Sequence, residues 1–237
     1  MLVTPAIILR KLETKEHDKF LELLTPQFGR IDVVARGTRK IESKLNPHLN
    51  LLNILEVGFV QGPANKVLVL ADTKEKFEAS KVEQYEAAFE IIRLLEKLTW
   101  AELPEPKTFV LAEEGLKQIR LYPDFCGQIT IKFKIKLLEI LGYKPELEKC
   151  IHCHKRDFVK KTFNYTQGGL TCKDCLGPYE AIDIKEESFW KTTNYLLNDF
   201  AWLEPKLSAE DINQQTRFID NLFNHFVDDR QKNVAFI

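Results

Sequence analysis

The spacing of hydrophobic residues changes part-way along the chain. Up to about residue 75 the apolar residues form short runs divided by glycine and proline, a pattern typical of β-strands joined by turns. The predicted strands are 5–12, 20–24, 31–35, 51–60 and 67–70. Five short strands with turn residues between them predict a small closed or nearly closed barrel.

Beyond residue 80 the apolar residues recur every three or four positions, which is the spacing of amphipathic helices. The predicted helices are 82–100, 107–120, 186–199 and 208–230. The segment 127–142 fits both a strand alternation and one helical face, but its length and a terminal Gly142 favour a helix. Ser208, with Asp211 three residues later, predicts a capped start for the last helix. The chain is therefore predicted to be α+β, with the strands first.

Four cysteines form two closely spaced pairs between the predicted helices. They are Cys150, Cys153, Cys172 and Cys175. Two residues between the members of a pair allow both thiolates to face one ion, and two such pairs supply the four ligands of a tetrahedral Zn²⁺ site. Four cysteine ligands leave no open coordination position, so the predicted zinc is structural. A redox dithiol and an iron–sulfur cluster are the alternatives.

The segment between the cysteine pairs has little apolar surface of its own. A strand-like stretch at 158–165 and a turn at 167–169 predict a short ribbon whose ends meet at the metal. Because ordering the backbone costs about 1–2 kcal/mol per residue, we expect the zinc to fold it. His152 and His154 flank the first pair and could substitute as ligands, but we interpret both as surface residues. Cys126 has no cysteine near it in the sequence, and we interpret it as a small, buried apolar residue.

Charge and targeting signals narrow the class of protein. The formal net charge of −1 means that binding to nucleic acid would need a local basic patch. No apolar run reaches the length of a membrane span, and the N-terminus lacks the order of features found in a signal peptide. We therefore expect a cytoplasmic protein, in which paired cysteines bind metal more often than they form disulfides.

Such a patch occurs at the end of the third predicted strand. Between Arg30 and Lys44, five basic residues oppose Asp32 and Glu42, a net charge of +3 in fifteen residues. Their cationic ends, together with the Thr38 hydroxyl, suit phosphate oxygens. The predicted nucleic-acid contacts are Arg30, Arg36, Arg39, Lys40 and Lys44. A solvated charged loop is the alternative interpretation.

The sequence argues against an enzyme. A zinc hydrolase or deaminase needs an open metal position and a general base, as in a His-x-Glu motif, which the chain does not contain. It also lacks the G-x-x-x-x-G-K-[ST] loop that binds nucleotide phosphates.

Several motifs, taken together, resemble one family. In the N-terminal part they are Leu24-Thr25-Pro26-x-x-Gly29-Arg30, Ala35-Arg36-Gly37 and Lys40-x-x-Ser43-x-Leu45. The most specific is Leu141-Gly142-Tyr143-x-Pro145-x-Leu147-x-x-Cys150, and Gly168-Gly169-Leu170-x-Cys172 follows it. Nearly the whole chain is similar to the RecO family of bacterial recombination mediators and DNA repair proteins. The family often has glycine after the second cysteine, where this chain has His154.

The resemblance implies an OB-fold in residues 1–78 and a helical domain in 79–237, with a zinc finger inserted at about 148–178. It implies a nucleoid-associated protein that binds single- and double-stranded DNA and anneals complementary strands. It also implies that the protein helps RecR to load recombinase and binds the acidic C-terminal tail of single-stranded DNA-binding protein. The alternative is a zinc-ribbon adaptor without direct DNA binding. In that case an acidic peptide would dock on helical cations such as Arg120, Lys132, Lys134 or Lys136.

Overall fold

The computed structural model divides the chain into two compact units, Met1–Cys126 and Gly127–Ile237. It describes residues 1–14, 17–38, 40, 42–157, 161–176, 181–183, 189, 192–193, 196, 202–203 and 206–234, of which 181–183 and 227–234 are described by their backbone alone. The first unit contains two helices besides the strands. The division expected at residue 78, into an OB-fold domain and a helical domain, stays a prediction.

The first unit is built on a closed barrel of five strands. They are β1 (Leu2–Glu13), β2 (Lys19–Thr25), β3 (Gly29–Ala35), β4 (Ile54–Gln61) and β5 (Lys66–Glu75). Around the barrel the order is β1-β2-β3-β5-β4, with β4 returning to β1. All pairs are antiparallel except β3 with β5. This five-stranded, closed arrangement is OB-like and confirms the barrel predicted from the sequence.

Alternation along the strands fills the barrel. Leu21 and Leu23 of β2 and Ile31 and Val33 of β3 point inward and are at most 2% exposed. The residues between them face outward, as the two-residue period of a strand requires. Strand β5 extends to Glu75, beyond the predicted end at residue 70, because its polar end pairs with β4. Pairing with a neighbour, and not hydrophobicity, decides where this strand ends.

Two helices complete the first unit, α1 (Val82–Leu98) and α2 (Pro106–Leu121). The buried amide of Gln84 joins the start of α1 to the end of α2. Its Oε1 accepts from the backbone N–H of Ser80 and Lys81, and its Nε2 donates to the carbonyl oxygens of Ile119 and Arg120. One side chain thus satisfies polar groups that both helix ends would otherwise leave without partners.

The link between α1 and α2 runs along the edge of β3. The Arg30 N–H donates to the Trp100 carbonyl (3.3 Å), and the Glu102 N–H donates to the Arg30 carbonyl (2.9 Å). Gly29 next to it has φ +65°, and a Cβ on Gly29 would lie 2.2 Å from the carbonyl oxygen of Leu103. Only glycine allows both this backbone conformation and this close approach.

The described part of the second unit combines two long helices with a small sheet. The helices are α3 (Cys126–Ile140), whose first residue belongs to the first unit, and α4 (Ala209–Val234). The sheet has the order β7-β6-β8, from β6 (Thr162–Asn164), β7 (Gly169–Thr171) and β8 (Ala181–Asp183). Positions 189, 192, 193 and 196 are helical, and the rest of the helix predicted at 186–199 lies outside the described residues.

Two predictions about the second unit are confirmed. Segment 127–140 is helical and ends in a turn at 141–142, and Ser208 caps α4 reciprocally with Asp211, whose N–H donates to the serine Oγ (3.1 Å). The ring of Phe163 packs edge-on against Phe218 of α4, with centroids 4.9 Å apart. This contact fastens the ribbon sheet to the last helix.

Candidate metal centre and nucleic-acid interface

The four paired cysteines come together in the second unit. Their Sγ atoms all lie within 4.8 Å of one another, and neither His152 nor His154 belongs to the group. Strand β7 places Cys172 at its end, while the first pair lies on the turn that precedes the ribbon. The fifth cysteine, Cys126, is buried outside the group, as predicted, and its Sγ donates to the Pro123 carbonyl.

The dimensions of the cluster fit a tetrahedral metal. The Sγ atoms of Cys153 and Cys172 are 3.7 Å apart. Four sulfurs at the Zn–S distance of about 2.3 Å would be separated by about 3.8 Å at the corners of a tetrahedron. The residues present could therefore hold a metal ion of the size and preference of Zn²⁺, with no position left for a water ligand.

The surroundings of the sulfurs also suit a cation. Burial opposes ionisation of Cys150, but hydrogen bonds from the backbone at Cys153, Cys172 and His152 outweigh it and lower the pKa of Cys150 to about 6. The Cys172 N–H donates to the Cys150 Sγ at 3.5 Å. By contrast, a hydrogen bond with Cys172, burial and the other sulfurs raise the pKa of Cys175 to about 12. Sulfurs this close together can all lose their protons only when a positive ion lies between them.

His154 takes a backbone conformation that disfavours its side chain. Its φ is +59°, and its N–H donates to the Cys150 carbonyl to close the turn. A left-handed conformation costs a residue other than glycine on the order of 1 kcal/mol. His154 therefore replaces the glycine frequent in the family at a position whose backbone conformation favours glycine.

We expect His154→Gly to stabilise the ribbon by about 1 kcal/mol, because glycine adopts this φ without the steric cost of a Cβ. The measurement is the midpoint of chelator-induced metal release. His152→Gly is the matched control, since His152 is not among the residues with positive φ. The control should weaken the ribbon slightly, and equal effects of both changes would contradict the argument.

The basic loop after β3 is exposed and built from successive turns. The Gly37 N–H donates to the Asp18 carboxylate (2.7 Å), and the Lys40 N–H donates to the Gly37 carbonyl (3.1 Å). Arg36, Lys40 and Lys44 are exposed, and no ion pair joins them to another described residue.

Thr38 of the same loop is fully buried and its hydroxyl donates to the His17 carbonyl, so the suggestion that this hydroxyl meets phosphate is wrong. Arg39 lies outside the described residues.

Arg30 differs from the three exposed cations of the loop. Its Nε lies 2.9 Å from the Glu22 carboxylate, and its Nη1 donates to the Glu96 carbonyl of α1 (2.6 Å). Burial raises the pKa of Glu22, and the nearby Arg30 guanidinium opposes that rise. As a phosphate contact Arg30 stays a prediction, because its guanidinium would first have to leave Glu22.

The outer face of the barrel beside the loop was not identified from the sequence. Cross-strand pairing aligns Leu12, Phe20 and Val34 in one row, all of them exposed or half-buried. Next to it lies a cavity of about 570 Å³, whose lining includes Phe20, Arg10, Gln61 at the end of β4 and Asn65 of the β4–β5 loop. Strand alternation could have indicated that Phe20 faces outward, but only the register shows its neighbours.

The helical cations proposed to bind an acidic peptide are either buried or in contact with other side chains of the protein. Lys132 is fully buried, and Lys134 is 5% exposed and pairs with Asp220 at 2.5 Å. The Lys136 amine lies 4.6 Å from the centre of the Trp202 ring, and Arg120 lies 3.5 Å from Glu75. Lys132 and Lys134 are therefore parts of the packed interior rather than exposed surface.

No helix in the described part of the chain is both long and apolar enough to cross a membrane.

The sequence matches known protein families over most of its length. The family model for the N-terminal part of recombination protein O matches residues 1–72, and the model for its C-terminal part matches residues 80–201. The DNA repair protein RecO of Dehalococcoides mccartyi strain 195 is 35% identical over 188 residues, 76% of this chain and 72% of the relative. The DNA repair protein RecO of Bacillus pumilus is 27% identical over 186 residues, 76% and 71% of the two chains. This chain therefore belongs to the recombination protein O family, whose members are DNA repair proteins.

Proposed function

We propose that the protein is a non-enzymatic recombination mediator that binds single- and double-stranded DNA and anneals complementary strands. The observation that carries this proposal is a set of three exposed loop cations that form no ion pair with any described residue: Arg36, Lys40 and Lys44. Cations that stay free in the folded protein can neutralise phosphates without first breaking an internal contact. Membership of a DNA repair family supports the same conclusion.

The row formed by Leu12, Phe20 and Val34 would support bases. Val34, at the β3 end of the row, lies two residues before Arg36. A DNA strand held at the loop by its phosphates would therefore reach the Phe20 ring next. Base stacking on an aromatic side chain is worth about 1–3 kcal/mol and tolerates any sequence. Near the cavity the charges of Arg10 and Arg30 are balanced by Glu22 and Asp32, which suits neutral bases better than phosphates.

The partners inferred from the family belong to the same proposal. We infer that the protein works with RecR and with the acidic tail of single-stranded DNA-binding protein in loading recombinase, in the bacterial cytoplasm at the nucleoid. The ion held by the four cysteines would be Zn²⁺ and would fold the ribbon without taking part in any reaction. A zinc-ribbon adaptor without DNA binding is the alternative that the following measurement excludes or supports.

We expect Arg36→Ala with Lys40→Ala to weaken binding of single-stranded DNA and to flatten its dependence on salt. Each lost phosphate contact should reduce the slope of log K against log salt by about 0.7. Lys74→Ala is the matched control, because Lys74 is exposed but already paired with Glu56 and Asp72. Unchanged affinity and slope in the folded double variant would favour the adaptor.

Phe20→Ala should lower the affinity for single-stranded DNA without changing the salt slope. The ring would contribute stacking, which is not electrostatic, so we expect a loss of about 1–3 kcal/mol at every salt concentration. The readout is fluorescence anisotropy of a labelled oligonucleotide over a salt series, with a strand-annealing assay in parallel. A change in slope equal to that of the loop variant would assign Phe20 to loop folding and not to stacking.

A further inference from the structure

Helix α1 carries a second row of apolar side chains, which does not pack into the core of the first unit. Val82, Tyr85 and Phe89 are 70%, 40% and 38% exposed. Their spacing of three and four residues places them along one side of the helix. The core-facing side is formed by other residues, among them the fully buried Ala88 and Ile91. Folding of the first unit therefore does not explain the exposed row.

The exposed row is held in a fixed arrangement. The Tyr85 ring packs edge-on against Phe77, with centroids 5.7 Å apart. Phe77 is half-buried in the segment between β5 and α1 and widens the apolar surface on that side. Rigid aromatic rings lose little conformational freedom on binding, which is why they recur as anchors in protein interfaces. We call Phe77, Val82, Tyr85 and Phe89 the α1 stripe.

Acidic side chains border the α1 stripe on its other side. Glu83 and Glu86 are exposed, and Glu86 lies one helical turn from both Val82 and Phe89. Two cations lie nearby: the Lys81 Nζ is 2.6 Å from the Asp124 carboxylate, and Arg93, one turn beyond Phe89, donates from its Nε to the Phe89 carbonyl at 3.3 Å. Glu83 also suits the positive end of the helix dipole, whereas Glu86 lies beyond the first turn and gains little there. Glu86 therefore makes the more specific test of the border.

We propose that the α1 stripe docks a basic, amphipathic helical segment of another protein. Such a segment lays apolar residues spaced by three and four into an apolar surface, and its lysines or arginines would meet Glu83 and Glu86. At this border Glu83 and Glu86 disfavour DNA, anionic lipid and acidic tails. It also disfavours a second copy of this chain, which would bring the same glutamates. The surface is separate from the loop proposed for DNA, so either assignment can fail alone.

The test uses three synthetic peptides on the full-length protein. The first is an amphipathic helix with leucines on one side and lysines on the other; the second has glutamates for lysines; the third scrambles the first. Fluorescence anisotropy should detect binding of the lysine helix alone. Val82→Ser with Phe89→Ser should weaken that binding at least about tenfold, since both changes remove apolar surface that the complex would bury. Glu86→Lys should also weaken it, and this loss should shrink at high salt.

Val69→Ser is the matched control, because Val69 is 47% exposed on β5 and does not belong to the α1 stripe. Unchanged binding in this control, together with losses in both stripe variants and full DNA affinity in all three, supports the proposal. Absence of binding to the wild-type protein, equal binding of the scrambled peptide, or equal affinity in wild type and stripe variants would each overturn it.

Discussion

Cys150→Ser should abolish stoichiometric zinc binding and unfold the ribbon while the barrel stays folded. A structural zinc contributes on the order of 10 kcal/mol to small metal-dependent folds at neutral pH, more than any single contact of the ribbon. Metal content per chain measures the first effect. Hydrogen exchange measures the second, with protection lost in β6 and β7 and kept in β1 to β5. Chelation of the wild-type protein should reproduce both results.

Cys126→Ser is the matched control for the loss of metal. It removes a buried thiol from the first unit, and the replacement hydroxyl can still donate to the Pro123 carbonyl. We expect one zinc per chain and a protected ribbon in this variant. Loss of DNA binding in a Cys150→Ser protein whose barrel and ribbon both stayed folded would contradict the assignment of DNA binding to the loop and of a structural role to the ribbon.

Gly29→Ala should destabilise the first unit by about 2–5 kcal/mol. The left-handed φ costs alanine roughly 1–2 kcal/mol, and relieving a contact at 2.2 Å with the Leu103 backbone costs about 1–3 kcal/mol more. The link between α1 and α2 would have to move away from β3 and break its hydrogen bonds to Arg30. Urea denaturation followed by circular dichroism gives the change in the free energy of unfolding.

Gly37→Ala separates the two causes. Gly37 has almost the same φ, +64°, but the nearest atom to an added Cβ would be a flexible Lys40 carbon at 3.6 Å. We therefore expect this control to lose only the backbone cost of about 1–2 kcal/mol. Equal losses in the two variants would show that the link does not press on Gly29 as closely as the structure indicates.

Local patterns were enough to predict most elements of the described chain. The two-residue alternation of Leu21, Leu23 and their neighbours predicts β2, because one side of each barrel strand must be apolar. The wider spacing in α1 predicts a helix for the same reason. Segment 127–142 is more ambiguous, since its hydrophobic residues fit the periods of both a strand and a helix. Its length correctly favoured the helix, α3.

Long-range contacts could not be predicted in the same way. Nothing in the spacing around Gly29 shows that the chain seventy residues later crosses it, because that contact depends on how α1 packs. Arg30 illustrates the same limit. As a basic residue beside a basic loop it predicts a phosphate contact, yet its carboxylate partner Glu22 lies on the neighbouring strand and faces it only once the register of β2 and β3 is set.

The sequence by itself determined the order of strands and helices, the four cysteines as a candidate ligand set and the family, because all of these depend on residue types at short, fixed spacings. The tertiary structure decided how the barrel closes, which loop cations form no ion pair with the described residues and that Lys132 and Lys134 are buried. It also placed Phe20 beside the loop and left the α1 stripe exposed. These features depend on side chains that approach one another through packing and strand register, which the local pattern of hydrophobic and polar residues does not contain.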